Sequence, residues 1–376
     1  MLIEAKIQGD DLVLGWSDGR RETVSLFWLR DHCPCPACQH PETRQRLVDS
    51  FALPAGLAAG KVEVIANAQE LAVDWQPDGH ASRYAAAWLA AVVAGPRTAP
   101  QRVLWDQAGI VAETPKIAHD ALMAGDAGLK AFLEKIELYG FCFVEGTPAT
   151  PEATRGVAER VGYIRETIFG GYWDFTANLA HKDTAYTSLE IGPHTDGTYS
   201  FDAPGYQMFH CLAFDGVGGE NVFVDAFRIA DDMHRETPEL YRILTEVEVT
   251  GQYLDHDKGI HLQATRPAFR LDAAGNLVQV SFNNLDRAPT FLPGGKMADF
   301  YRAYGEFARR AGDRRLQYRR RLAPGSLVLF DNWRLLHARD AYSGYRRLAG
   351  AYLNKEDVES RLRVLRIKAG ELKAAA

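Results

Sequence analysis

The chain has 376 residues, 47% hydrophobic and 24% charged, with a formal net charge of −6. That length exceeds what one compact core usually serves, so two domains are expected, and the composition excludes an intrinsically disordered chain. There is no long basic block to neutralise a phosphate backbone, which excludes nucleic acid as an expected partner.

MLIEAKIQGDDLVLGW carries early acids and alternating apolar residues where a secretory signal would be basic and then apolar. No apolar run approaches the roughly 18 residues of a membrane span, so no membrane partner and a cytoplasmic location are expected. Residues 5–7 and 12–16 alternate between GDD and SDG turn signals, which predicts a small β-rich module over residues 1–95. Inside it Cys33, Cys35 and Cys38 gather three of the five cysteines, a pattern that suits metal binding under reducing conditions better than a disulfide framework. A fourth ligand would close a tetrahedral zinc site, with His40 nearby in sequence and His32 adjoining; unligated buried thiols are the bland alternative.

SRYAAAWLAAVV, residues 82–93, has helical periodicity and is stopped by Gly95-Pro96; residues 96–115 read as a linker. A helix is predicted over 128–138, running into GFCFVEG, an apolar run that suits a buried strand. Short β-like runs follow: YQMFHCLAF, ENVFVDAF, LVQVSF, SLVLFDNW and LAGAYL. Many spaced strands predict a sandwich or jelly roll, braced by a helix over 296–311 that is apolar at Phe300, Tyr304 and Phe307.

The sharpest chemical feature is His194-Thr195-Asp196 in GPHTDGTY, with His337 far downstream in FDNWRLLHARD. Residues two apart on a strand share a face, so one imidazole and one carboxylate can meet a metal together, and the distant histidine completes a facial triad. Such a triad leaves positions open on Fe(II) for a bidentate cosubstrate and dioxygen, unlike a closed zinc site. An HxD tripeptide alone is a weak signal, since a lone histidine is more often a surface or satisfied core residue. Arg346, nine residues beyond His337, strengthens it, because an alternating strand could aim its guanidinium along the same cavity toward a carboxylate. The bland alternative makes Arg346 and Arg347 a solvated basic pair.

The strings WDFTANLAHKDTAYTSLEIGPHTDGTY, FNNLDRA and FDNWRLLHARDAYSGYRRLAGAYL closely resemble the trimethyllysine dioxygenase and γ-butyrobetaine hydroxylase family, within the wider taurine dioxygenase-like group. The resemblance covers nearly the whole chain. It implies an α+β, mainly β fold, with a double-stranded β-helix (jelly-roll) catalytic domain over residues 116–376 and a zinc-binding module before it. It further implies Fe(II) and 2-oxoglutarate, with dioxygen driving decarboxylation of 2-oxoglutarate to succinate and carbon dioxide and hydroxylation of an unactivated C–H bond. Arg346 matches the family arginine that holds the far carboxylate of 2-oxoglutarate, and Arg339 is a second candidate. Relatives often carry Thr or Ser after the GG pair of one strand, where GGEN here supplies Asn221 as the candidate contact. His80, in PDGHASRY, matches the histidine that joins three cysteines on structural zinc. A homodimer and a place in carnitine-related metabolism are also implied.

A trimethylammonium group cannot donate a hydrogen bond, so aromatic faces must recognise it. Phe169, Trp173, Tyr186 and Tyr352 match positions lining the family's cation pocket, with Phe169 standing where some relatives carry Tyr; otherwise such rings are more often plain core. The other end of the substrate separates the two relatives: γ-butyrobetaine ends in a carboxylate only, whereas trimethyllysine also carries an α-ammonium that calls for an acid. Asp183 stands where butyrobetaine enzymes resemble one another in having Asn, and DTAYT resembles the trimethyllysine enzymes; Asn283 matches a polar substrate contact. A turn or cap role is the bland alternative for Asp183. The expected reaction is C3 hydroxylation of N6-trimethyllysine, with γ-butyrobetaine the second reading. An oxygenase for sulfonates or aryloxy acids would need no aromatic cation box. An adaptor that had lost catalysis would have no reason to keep His194, Asp196, His337 and Arg346.

Overall fold

The computed structural model describes residues 1–93, 102–175 and 187–371. The chain divides into two compact units, residues 1–99 and 100–372.

The first unit runs β1 (Leu2–Gln8), β2 (Asp11–Trp16), β3 (Arg21–Ser25), α1 (Leu26–Asp31), β4 (Ala58–Ile65), β5 (Glu70–Gln76), β6 (Ala81–Ala85) and α2 (Ala86–Val93). It forms two three-stranded antiparallel sheets in chain order. Alternation along β2 and β5 buries Leu12, Leu14, Leu71, Val73 and Trp75 in one core. The helix predicted from residue 82 begins four residues later. Ser82 and Tyr84 are buried between exposed neighbours, so this stretch follows the strand period of two before the helix starts.

The second unit begins inside the stretch read as a linker. Trp105 and Ile110 are buried, and α3 (Gln107–Ala112) is helical, because Asp106 caps it by accepting from the Gly109 N–H at 2.9 Å. Then come β7 (Lys116–Ala118), α4 (His119–Ala124), α5 (Asp126–Tyr139), β8 (Phe141–Glu145), α6 (Pro151–Val161), β9 (Ile164–Arg165), β10 (Tyr172–Phe175), β11 (Ile191–His194), β12 (Tyr206–Gly218) and β13 (Asn221–Asp225). The chain continues through α7 (Ala226–Glu236), α8 (Pro238–Glu246), β14 (Glu248–Asp255), β15 (Ile260–Pro267), β16 (Phe269–Leu271), β17 (Leu277–Val280) and α9 (Lys296–Ala311). It ends with β18 (Gln317–Arg320), β19 (Ser326–Asp331), β20 (Leu335–Arg339), β21 (Tyr342–Leu353) and α10 (Lys355–Lys368). Gly140, at φ +84°, ends α5 in the left-handed conformation that turns the chain straight into β8. ENVFVDAF is only half strand: Asp225 caps α7 by accepting from the Phe227 N–H at 3.2 Å.

A seven-stranded sheet in the order β10-β21-β12-β19-β8-β7, with β9 also on β21, faces a four-stranded sheet, β11-β20-β13-β18. This is the double-stranded β-helix, and its strands are apolar on both faces because both faces are covered. On β19, Leu327 and Leu329 pack with α5, α6 and α10, while Val328 and Phe330 point between the sheets. On β20, Leu336 and Ala338 meet α7 and α9, and Leu335 turns inward. That parity decides the site: with Leu335 inside, His337 and Arg339 are inside too, and on β21 Leu348 carries Arg346 and Tyr352 to the interior. No described helix is long and apolar enough to cross a membrane.

Candidate active site

His194 and His337 are directly opposite partners where β11 pairs antiparallel with β20, which sets their ring centroids 4.2 Å apart. The strand argument for His194 and Asp196 needs correction. Strand β11 stops at His194, and Asp196 lies in the turn beyond it. The turn is held by side chains remote in sequence: the Asn332 amide accepts from the Asp196 N–H at 2.9 Å and donates to the Asp196 carbonyl at 3.0 Å. Between the two, the Thr195 N–H donates to the Phe282 carbonyl at 2.7 Å. Gly197, at φ +72°, closes the turn; a Cβ there would sit 2.5 Å from Pro204.

The Asp196 carboxylate thereby lies 3.3 Å from His194 Nε2 and 3.7 Å from His337 Nε2. The His194 Nδ1–H faces the Gly192 carbonyl at 2.8 Å, which directs the Nε2 lone pair to the same point. Burial pushes His337 down to about 3, with His194 adding to the effect, so its imidazole is neutral at physiological pH. Burial acts to raise the Asp196 carboxyl, but the two imidazoles and the Tyr352 hydroxyl, donating at 2.7 Å, hold it below the ordinary carboxylate range. Two imidazole nitrogens and a carboxylate fit a divalent iron that needs vacant positions.

Those residues end a cavity of about 280 Å³, and Arg346, Arg339 and Asn221 line it as well. Arg346 and Arg347 are not a solvated pair: Arg347 meets Asp174 outside at 3.0 Å, while Arg346 is only 6% exposed. Arg346 donates to Asn221 Oδ1 at 3.3 Å, and among the described residues no carboxylate pairs with it. Burial, with the Arg339 charge beside it, pushes the Arg346 guanidinium down to about 10, so it remains a cation in need of an anion. Asn221 Nδ2 is buried with no partner among the described residues, a second donor at the same end. Arg339 also holds the chain beside the cavity, donating to the carbonyls of Thr187 at 2.8 Å and Leu189 at 2.6 Å.

Phe169, Trp173 and Tyr352 line the same cavity, and Trp173 meets Tyr352 edge-on at 5.9 Å. Two rings outside the sequence candidates join them, Tyr199 at the end of GPHTDGTY and Tyr253, which no local motif marks: Tyr253 lies 5.8 Å from Phe169 and 5.3 Å from Tyr199. Asp183 and Tyr186 lie outside the described residues. Trp173 packs across strand β21 onto Gly350, its directly opposite partner; a Cβ at Gly350 would fall 2.1 Å from the indole and 2.1 Å from the Met208 carbonyl oxygen. Gly350→Ala should therefore cost about 1–3 kcal/mol by overpacking and displace the indole. Thermal melting and the substrate KM check this; a variant unchanged in both would show that Trp173 is not seated by Gly350.

In the first unit the His80 Nε2 lies 3.2 Å from Cys33 Sγ and 3.6 Å from both Cys35 Sγ and Cys38 Sγ. His32 instead stacks on Trp28 at 4.5 Å, and the His40 Nδ1 accepts two backbone N–H groups. Arg30 donates to Cys38 Sγ at 3.4 Å, which opposes the burial that pushes that thiol up to about 12, and pairs with Asp78 at 3.0 Å. Three sulfurs and one nitrogen have the composition of a closed tetrahedral zinc site.

A facial triad and an anion-seeking guanidinium lining one jelly-roll cavity define the Fe(II)- and 2-oxoglutarate-dependent dioxygenases. The chain belongs to the taurine catabolism dioxygenase TauD, TfdA family, whose model matches residues 107–352; residues 3–90 match the gamma-butyrobetaine hydroxylase-like N-terminal family. It is 34% identical to trimethyllysine dioxygenase of Meyerozyma guilliermondii, over 97% of this chain and 96% of that one. Human mitochondrial trimethyllysine dioxygenase is 33% identical over 92% of this chain and 84% of its own. Gamma-butyrobetaine dioxygenase of Pseudomonas sp. strain AK-1 is 34% identical over 93% and 92%.

Proposed function

We propose that this enzyme hydroxylates N6-trimethyllysine at C3, yielding 3-hydroxy-trimethyllysine, succinate and carbon dioxide. The observation that carries this reading is the convergence, in one cavity, of the His194, Asp196 and His337 donors, the Arg346 cation and the rings of Phe169, Trp173 and Tyr352. The three donors hold iron, and Arg346, with Arg339 and Asn221, receives the far carboxylate of 2-oxoglutarate. Iron and 2-oxoglutarate, when bound, supply the oxidising chemistry. The chain's own contribution is to hold the substrate cation against aromatic faces and to keep water from the reacting carbon. Asp183 is the acid proposed to meet the α-ammonium. The γ-butyrobetaine reading keeps support from the equal identity to the bacterial butyrobetaine enzyme.

Succinate formation decides between them, measured with iron, 2-oxoglutarate and oxygen and with trimethyllysine, γ-butyrobetaine, lysine or no addition. Stimulation by trimethyllysine with a hydroxylated product supports the proposal; stimulation by γ-butyrobetaine alone replaces the substrate and keeps the mechanism.

Residues 1–95 are proposed as a zinc-stabilised module that precedes the catalytic domain, in a cytosolic homodimer. Because zinc ligation is coupled to folding, a chelator that removes zinc and leaves iron should lower the melting temperature before it lowers turnover. Unchanged melting after confirmed zinc loss would remove the structural role.

A further inference from the structure

We infer that Asp286 is a second specificity-determining acid that, in addition to the Asp183 proposed above, pairs with the α-ammonium of the substrate; this rests on the trimethyllysine reading above. In trimethyllysine the α-ammonium sits on the carbon next to C3, whereas the trimethylammonium lies four bonds from C3. If C3 faces the iron, an acid that reads the α-ammonium must lie toward the triad, while the aromatic faces stand farther off. Asp286 belongs to the segment that is bonded to the turn bearing Asp196. It lines the cavity, and among the described lining residues Asp196 and Asp286 are the two acids, of which Asp196 is committed to the metal donors.

Its segment is strapped to that turn by hydrogen bonds. The Thr195 N–H donates to the Phe282 carbonyl at 2.7 Å, and the Phe282 N–H returns to Thr195 Oγ1 at 3.0 Å. From Phe282 the chain reaches Asp286 through a turn that the Asn283 side chain organises. Asn283 Oδ1 accepts the Leu285 N–H at 2.9 Å, and its Nδ2 donates to Asp286 Oδ2 at 2.7 Å. Asn283, matched to a substrate contact by resemblance, thus spends its amide on setting the plane of the Asp286 carboxylate. The backbone is fixed from the other side too: the Gln252 N–H donates to the Asp286 carbonyl at 2.7 Å and the Ala288 N–H to the Thr250 carbonyl at 2.9 Å. Strand β14, which supplies those partners, also carries Tyr253 into the cavity. A carboxylate held this rigidly loses little freedom when it takes up an ammonium, and it gives a charge-assisted hydrogen bond that a substrate end without an ammonium cannot make.

The test compares trimethyllysine with 6-(trimethylammonio)hexanoate, the same chain without the α-ammonium, by steady-state succinate formation and by calorimetric binding without oxygen. Asp286→Asn is isosteric and keeps an acceptor for Asn283. It should raise the KM and Kd for trimethyllysine about 10- to 100-fold, and change those for the deaminated analogue by less than about twofold. Asp286→Glu, which keeps the charge, should recover part of the discrimination, and it serves as the deciding variant if Asp286→Asn does not fold. An equal loss toward both ligands, or no change toward trimethyllysine, would overturn the role of Asp286 while leaving the substrate assignment intact. Wild-type enzyme that is not stimulated by trimethyllysine would overturn the substrate assignment itself, and this inference with it.

Discussion

His337→Ala is expected to abolish iron retention and to lower substrate-stimulated succinate formation by about a thousandfold or more, because a divalent iron held by three protein donors loses one of them outright. The effect should exceed that of removing any single group that only orients a ligand, for which about 10- to 100-fold is usual. The fold should persist. His337 packs its ring 5.1 Å from Phe330 and 5.7 Å from Phe209, and the apolar wall around it remains after truncation. Iron per chain by elemental analysis, read beside turnover, checks the prediction; a variant that kept a full iron complement and turned over normally would remove His337 from the metal site.

Arg346→Met should raise the KM for 2-oxoglutarate about a hundredfold, the loss expected when a buried cation that pairs with a ligand carboxylate is replaced by an apolar side chain. Its effect on stability should run the other way. The guanidinium is buried without a carboxylate among the described residues, so replacing it relieves desolvation, and the variant free of cosubstrate should melt no lower than wild type. 2-Oxoglutarate should then stabilise the wild-type protein and no longer stabilise the variant. Arg346→Lys should rescue poorly, since an ammonium cannot reproduce the planar fork. A variant with unchanged KM and a sharply lowered melting point would make Arg346 a structural residue.

How far the site could be read in advance depended on how local its causes are. His194, Asp196 and His337 stand out because their residue types and long flanking strings are written in the chain, and GFCFVEG and SLVLFD announce buried strands by apolar content alone. The helical pattern over 82–93 reaches four residues too far because residues that alternate as a strand are also acceptable helix formers. ENVFVDAF looks like one strand because nothing apolar marks the point where Asp225 caps α7. Residues 96–115 look like a linker until Trp105 and Ile110 find a core to enter.

By itself, then, the sequence determined the residue types of the iron donors and the three clustered cysteines, the strand-rich second unit and the arginine that follows the last histidine, since each is a matter of composition and spacing. Tertiary structure decided which face each strand turns inward, and so that Arg346 is buried while Arg347 meets Asp174 outside. It decided that Asp196 reaches the histidines from a turn pinned by Asn332, that Tyr199 and Tyr253 join the aromatic wall, and that Asn283 serves Asp286. The physical reason is the same in each case: these contacts join segments tens to more than a hundred residues apart, and their geometry exists only once two sheets close on one another.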